Sequence, residues 1–153
     1  MNKRVLNLID NKKYDAYYCS GWFSEEQEKN YNKITSMLKE YGWKLFEPRY
    51  DAGTAEGELT LEKAHQLFDA DLKGIDDCSI LFADISFRDT GGLVEIGYAI
   101  AKGIPIVMFD NSDRPKANIM LASATTNFIR NYTELEDFLN GETVLDLGGK
   151  ELE

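Results

Sequence analysis

Ser79-Ile80-Leu81-Phe82-Ala83, followed by the polar segment Ser86-Phe87-Arg88-Asp89-Thr90-Gly91-Gly92 and then by Leu93 to Lys102, is the stretch that decides the fold. A strand that alternates polar and apolar side chains keeps one wet face. An unbroken apolar run keeps none, and belongs in the middle of a parallel sheet covered on both sides. From Leu93 the spacing turns helical, and Gly103 stops it. Strand, polar loop and helix make half of a βαβ unit.

The same alternation extends both ways. Ala16 to Cys19 reads as strand one. Ser24 with Gln27 forms a capping box that opens a helix, with the stripe Tyr31, Ile34, Leu38, Tyr41 and a stop at Gly42. Trp43 to Phe46 is strand two, closed by Pro48, and a long loop runs from Pro48 to Leu59. Thr60 caps a second helix with the stripe Leu61, Ala64, Phe68, Leu72, Ile75. Strand four is Ile104 to Phe109; its Pro105 predicts an edge position or a strand that begins there. A short helix is expected over Asn118 to Ala124, strand five over Asn127 to Ile129, and a last helix to Leu139 capped by Thr133 with Glu136. The expected fold is α/β, a three-layer sandwich around a five-stranded, largely parallel sheet of flavodoxin-like or Rossmann-like type. It is read as one domain over 1–153, with 1–14 as an N-terminal extension and 141–153 as a tail. Ligands in such sheets bind at the carboxyl ends of the strands.

Charge narrows the chemistry. The chain has 17 Lys+Arg against 27 Asp+Glu, a net charge of -10. So acidic a surface repels phosphate backbones and anionic headgroups, and neither nucleic acid nor a membrane is an expected partner. Lys12-Lys13 is the densest basic spot and too small to reverse that. No apolar run reaches the roughly 18 residues of a membrane span. Met1 to Asp10, with its broken apolar stretch Val5-Leu6-Asn7-Leu8-Ile9, is not expected to be a signal peptide. Cys19 and Cys78 read as buried reduced thiols, in keeping with a cytoplasmic protein. His65 is the one histidine and reads as a surface residue. No histidine triad, no metal site and no cofactor is expected.

Carboxylates remain. Asp71 follows Phe68 by three residues and Leu67 by four, beside the apolar face of its helix. Desolvation there raises a carboxyl toward the general-acid range. Asp69 points to solvent instead. Glu95 is expected in the first turn after Gly91-Gly92, where the helix N-terminus favours its charged form and the glycines let a ligand approach the backbone. Their N–H groups would equally suit a phosphate. Asp89 is an N-cap or a second polar group of the site. Singly, Asp71 is also a helix-edge acid answering a cation, and Glu95 a complement to the helix dipole. Together at one sheet edge they point to paired-carboxylate chemistry.

Four segments together resemble the nucleoside 2-deoxyribosyltransferases, from Tyr17 to about Met120. They are Tyr17-Tyr18-Cys19-Ser20-Gly21-Trp22-Phe23, Asp71-Leu72-Lys73-Gly74-Ile75, Asp89 to Ala99, and Asn118-Ile119-Met120. The most specific part is Gly92-Leu93-Val94-Glu95-Ile96-Gly97-Tyr98-Ala99 with an aspartate six residues before the glutamate. The resemblance implies a retaining transfer of 2-deoxyribose from a deoxynucleoside to a free nucleobase. Glu95 matches the nucleophile. Asp71 and Asp89 match carboxylates that contact the base and support its protonation, and Tyr17 the hydroxyl that orients the nucleophile. Trp22, Phe23, Gly91 and Gly92 match the substrate-binding positions. Asn118 matches a residue reaching a neighbouring subunit's sugar, with Met120 beside it. A homo-oligomer with shared sites is implied, either a hexamer built as a trimer of dimers or a dimer. A covalent intermediate splits one hard substitution into two, as in retaining glycosidases.

Other readings share parts of this pattern. A hydrolase of the same superfamily, acting on deoxynucleoside 5′-monophosphates, carries a serine- and glycine-rich phosphate pocket, where Ser20-Gly21-Trp22-Phe23 here offers bulk. A receiver-type signalling module would use Asp84 as phosphoacceptor, but strand one lacks the acidic pair and Phe128-Ile129-Arg130 the matching lysine. A flavin-binding protein would share the fold alone. The loop Pro48 to Leu59 offers no plain reader of the base, so the range of bases stays open.

Overall fold

The apolar run from Ser79 to Ala83 is buried along its whole length within β3 (Cys78–Asp84). It pairs in parallel with β1 (Tyr14–Cys19) on one side and β4 (Ile106–Phe109) on the other. Outside these lie β2 (Leu45–Phe46), against β1, and β6 (Asn127–Ile129), against β4, giving a five-stranded parallel sheet in the order β2-β1-β3-β4-β6. The structure, a computed structural model, describes residues 12–53, 56–145 and 147–153. Residues 1–11 of the N-terminal extension, Thr54-Ala55 of the long loop and Asp146 of the tail lie outside them.

Side chains alternate across the sheet as period-two geometry demands. On β1, Ala16 and Tyr18 join the layer of α1 (Glu25–Glu40) and α6 (Tyr132–Leu139), with Ile34, Leu38, Phe82, Phe109 and Phe138. Tyr17 and Cys19 face the opposite layer, built by α3 (Leu61–Asp76) and α4 (Thr90–Ala101) with Ile75, Leu81, Ile96 and Phe128. The Ser24–Gln27 capping box is present, and Thr60 caps α3 by accepting from the Lys63 N–H. His65 is exposed, and Cys19 and Cys78 are buried free thiols. Among the described residues, no helix is long and apolar enough to cross a membrane.

Of the two readings of Pro105, the structure takes the second: β4 is interior, with partners on both sides, and begins directly after Pro105, whose carbonyl still accepts the Leu81 N–H at 3.0 Å. The missing N–H costs the sheet nothing, because the strand begins after it. Four other expectations need correction. The long loop starts as a helical turn, α2 (Pro48–Asp51), with proline in its first turn, where no N–H is required. The last helix is capped by Asn131, whose extended backbone lets its side chain accept from the Glu134 N–H, while Thr133 lies inside the helix. On α3, Leu61 and Phe68 are exposed and only Gly74 and Ile75 are buried, so the helix meets the sheet at its C-terminal end alone. The tail is more than an appendage: β7 (Glu151–Leu152) pairs with β5 (Lys116–Ala117), just before α5 (Ile119–Ala124).

Candidate active site

The strand order reverses between β1 and β3, because β2 lies to one side of that pair and β4 and β6 to the other. Ligands of open α/β sheets bind at such a crevice. Tyr17 is held there by pairing of β1 on both edges, and its ring stacks on Phe46 at 5.4 Å and 12°. Its hydroxyl donates to Glu95 Oε1 at 3.0 Å.

Glu95 stands in the second turn of α4, not the first, because the helix begins at Thr90 with Asp89 as N-cap. The dipole therefore does not rule it. Burial pushes the Glu95 carboxyl up to about 7, against hydrogen bonds from Cys19 and Tyr17 that favour the ion, with Asp71 and Asp89 adding repulsion. Asp71 comes in from α3, the helix beside α4. Burial alone raises it to about 6, and its Oδ1 is buried without a hydrogen-bond partner. Tyr17 is pushed far up, first by burial and then by Glu95 and Asp71, so its hydroxyl keeps its proton and donates it.

Asp89 accepts the Gly91 N–H at 3.2 Å and so is an N-cap, but its carboxylate also lines a cavity of about 490 Å³ beside α4. Gly92 shares that wall and packs under the Cys19 thiol; a Cβ there would lie 3.2 Å from Sγ. Asn118 and Met120 line the same cavity. Asn118 caps α5, accepting from Met120 and Leu121 N–H, while Met120 is exposed rather than in the core. Trp22 and Phe23 form a tilted ring pair just beyond β1, with Phe23 exposed and the Arg49 guanidinium over Trp22 at 5.7 Å.

The structure thus brings together Tyr17, Glu95 and Asp71, with Asp89 and Gly92 alongside. Asn118 and Met120 share the lining of the cavity with Asp89 and Gly92 and make no hydrogen bond to Tyr17, Glu95 or Asp71 among the described residues. Cys19, read from sequence only as a buried thiol, reaches Glu95; its position two residues after Tyr17 on one strand face was the available signal. Two raised carboxyls, one oriented by a tyrosine and one unpaired, can divide the roles of nucleophile and proton donor.

An α/β sheet with an acid pair at its switch point is an architecture shared by several classes of protein, and comparison with known proteins narrows it. The family model for nucleoside 2-deoxyribosyltransferase matches residues 16–141, and the chain belongs to that family. Among solved structures it is similar to the 2-deoxyribosyltransferase of the psychrotolerant bacterium Bacillus psychrosaccharolyticus, at 26% identity and a TM-score of 0.74, over 87% of this chain and 99% of that one. A conserved protein from Enterococcus faecalis V583 shares the fold at 17% identity and a TM-score of 0.58, over 84% of this chain and 96% of that one. No curated protein matches the sequence.

Proposed function

We propose that this protein exchanges nucleobases on 2-deoxyribose through a covalent glutamyl–sugar intermediate, with retention. The observation that supports it most is the Tyr17 hydroxyl on Glu95 Oε1, next to an Asp71 carboxyl that is raised and unpaired. Glu95, ionised, attacks C1′ from the face opposite the base. The C1′–N bond breaks, and Asp71 gives its proton to the departing base, which otherwise leaves as a poor anion. A second base then attacks C1′ of the ester, its N–H proton passes to Asp71, and Glu95 is released. Asp89, close enough to repel Glu95, joins Asp71 in contacting the base, and Gly92 leaves room for the substrate beside them.

A homo-oligomer with shared sites is part of this reading. Its support is the set of exposed apolar residues Leu93 and Ile100 on α4 and Met120 on α5, which line one cavity beside the site. Isolated exposed apolar side chains are ordinary, whereas a contiguous set marks an interface. In such an assembly Asn118 and Met120 serve the neighbour's sugar. Co-refolded Glu95→Ala and Asn118→Ala chains then regain activity that neither variant shows alone.

Incubation with deoxyinosine plus adenine or cytosine, followed by chromatography, tests the reaction. Base exchange is the expected result. Free 2-deoxyribose without exchange would mean a hydrolase.

A further inference from the structure

Tyr17 holds one oxygen of Glu95, and a single hydrogen bond leaves a carboxylate free to swing about it. A second group reaches Glu95 from the same strand. Side chains two residues apart on a strand share a face, and Cys19 follows Tyr17 by two on β1, in the layer that contains Ile96 of α4. Its backbone is fixed by the ladder to β3, where it pairs with Ala83. The thiol is 2% exposed.

The approach depends on the helix. Gly92 lies three residues before Glu95 on α4, and Cys19 Sγ is 3.7 Å from its carbonyl oxygen. A Cβ at Gly92 would stand 3.2 Å from Sγ, so the glycine is what lets strand and helix close on the thiol. Cys19 therefore has two acceptors, the Glu95 carboxylate and the Gly92 carbonyl, and one proton to give. Burial first, then Glu95, Asp89 and Asp84, push the thiol well above its ordinary value, so it stays S–H and donates.

We propose that Cys19 is a positioning residue: its thiol and the Tyr17 hydroxyl form a two-donor clamp on Glu95, and the thiol proton turns to the Gly92 carbonyl when Glu95 loses its charge. The step at which that happens rests on the proposed function. Once Glu95 is esterified to the sugar it accepts weakly, and a buried donor with no other acceptor would be left unsatisfied. The Gly92 carbonyl is at hand to take it. A thiol is a weak donor, which suits the role. It orients the carboxylate without holding its electrons as firmly as a second hydroxyl would. Glu95 is faced by Tyr17 and Cys19 from β1, by Asp71 from α3 and by Asp89 from the start of α4. The two donors favour the ion and the two acids oppose it, so removing the thiol makes Glu95 harder to ionise.

The test compares the wild type with Cys19→Ala and Cys19→Ser in two measurements. One is the ionisation of Glu95 itself, followed by carbon NMR of labelled glutamate carboxyls and assigned with Glu95→Gln. The other is kcat/KM for exchange of deoxyinosine with adenine across pH. In Cys19→Ala the Glu95 titration should move up by about 0.5–1 pH unit, or about three- to tenfold in its ionisation constant. The form with Glu95 ionised and Asp71 protonated then becomes rarer. Consequently kcat/KM should fall by about the same factor, and its basic flank should move up with the titration. Cys19→Ser keeps a donor and should bring both back toward wild type. Cys19→Val, apolar like alanine but bulkier, carries the same test if the alanine variant does not fold. A Glu95 titration unmoved in the apolar variants, or a loss of activity with the basic flank in place, would overturn the clamp and leave Cys19 a packing residue. Absence of exchange in the wild type, with the titration still moved by Cys19→Ala, would instead remove the proposed function and leave the clamp standing.

Discussion

The two faces of the sheet each bury a carboxylate near the carboxyl ends of the strands, and treat it in opposite ways. On the α1/α6 face, Asp84 is 6% exposed and accepts from Asn30 Nδ2 at 3.2 Å and from the Ser86 N–H at 3.0 Å. Asn30 is itself tied to Asn111 and to the Tyr132 hydroxyl. On the α3/α4 face, Glu95 receives a tyrosine hydroxyl and a thiol contact, and Asp71 Oδ1 receives nothing. A carboxylate saturated with donors is structural, because its lone pairs have no room for a substrate. Burial raises Asp84 as it raises Asp71, but hydrogen bonds from Ser86 and Asn30 oppose the rise at Asp84 and nothing opposes it at Asp71, whose free oxygen is held ready for a reacting group. The same contrast weighs against a phosphoacceptor role for Asp84, whose oxygens are already committed.

Substitutions can break this comparison. Glu95→Ala should lower base exchange by about 10³-fold or more, since the nucleophile is gone. The variant should remain folded by circular dichroism. Activity near wild type would put the reaction elsewhere. Asp71→Asn should cost about 100-fold with unactivated purine leaving groups and far less with a nitrophenyl-type one, which departs without a proton. Equal losses would deny Asp71 the acid role.

Asp84→Ala should do the reverse, lowering stability by about 1–3 kcal/mol as its donors lose a buried acceptor, with kcat of the folded fraction nearly unchanged. Urea unfolding alongside kinetics separates the two effects. Loss of kcat without loss of stability would erase the distinction between the faces.

The pH dependence sharpens the contrast. Glu95 rises from 4.5 to about 7 on folding, so its ionisation costs more in the folded chain. Below both values the acid is neutral in either state and contributes nothing. Stability then falls as pH rises through that interval and is lowest above about 7. Glu95→Gln should therefore stabilise the fold at pH 8 by an amount on the order of 1–3 kcal/mol, read as a higher melting temperature, and leave stability unchanged near pH 4. With Asp71 raised to about 6, below Glu95, the reacting form with Glu95 ionised and Asp71 protonated is the minor one of the singly protonated pair, so kcat/KM should be bell-shaped and narrow, with both flanks near neutrality. A flat profile from pH 5 to 9 would contradict the raised pair.

Much of this was legible in the sequence, for physical reasons. The β3 run and the Ser24 and Thr60 caps are local signals, and the structure follows them. Asp71 was found at an apolar helix edge, and its raised carboxyl has the cause that position predicts. Glu95 lies a turn deeper than the sequence suggests, because the polar, glycine-rich Thr90-Gly91-Gly92 forms the first turn of α4 and not the end of a loop. There the helix dipole gives way to burial, which depends on α3 and β1 packing against α4. Pro105 marks where β4 begins and not an edge, because strand order is a long-range property that a single residue does not report. The tail pairing of β5 with β7 depends on contacts across more than thirty residues, for which Glu151-Leu152 carries no local signature.

Trapping the intermediate tests the central claim most directly. The protein is incubated with a 2-deoxy-2-fluoro nucleoside analogue, digested, and analysed by mass spectrometry. The account predicts a fluorinated sugar esterified to the peptide containing Glu95, with release of one base per site. Turnover of deoxyinosine in the same preparation, with no adduct or with the sugar on Asp71 or Asp89 instead, would contradict it.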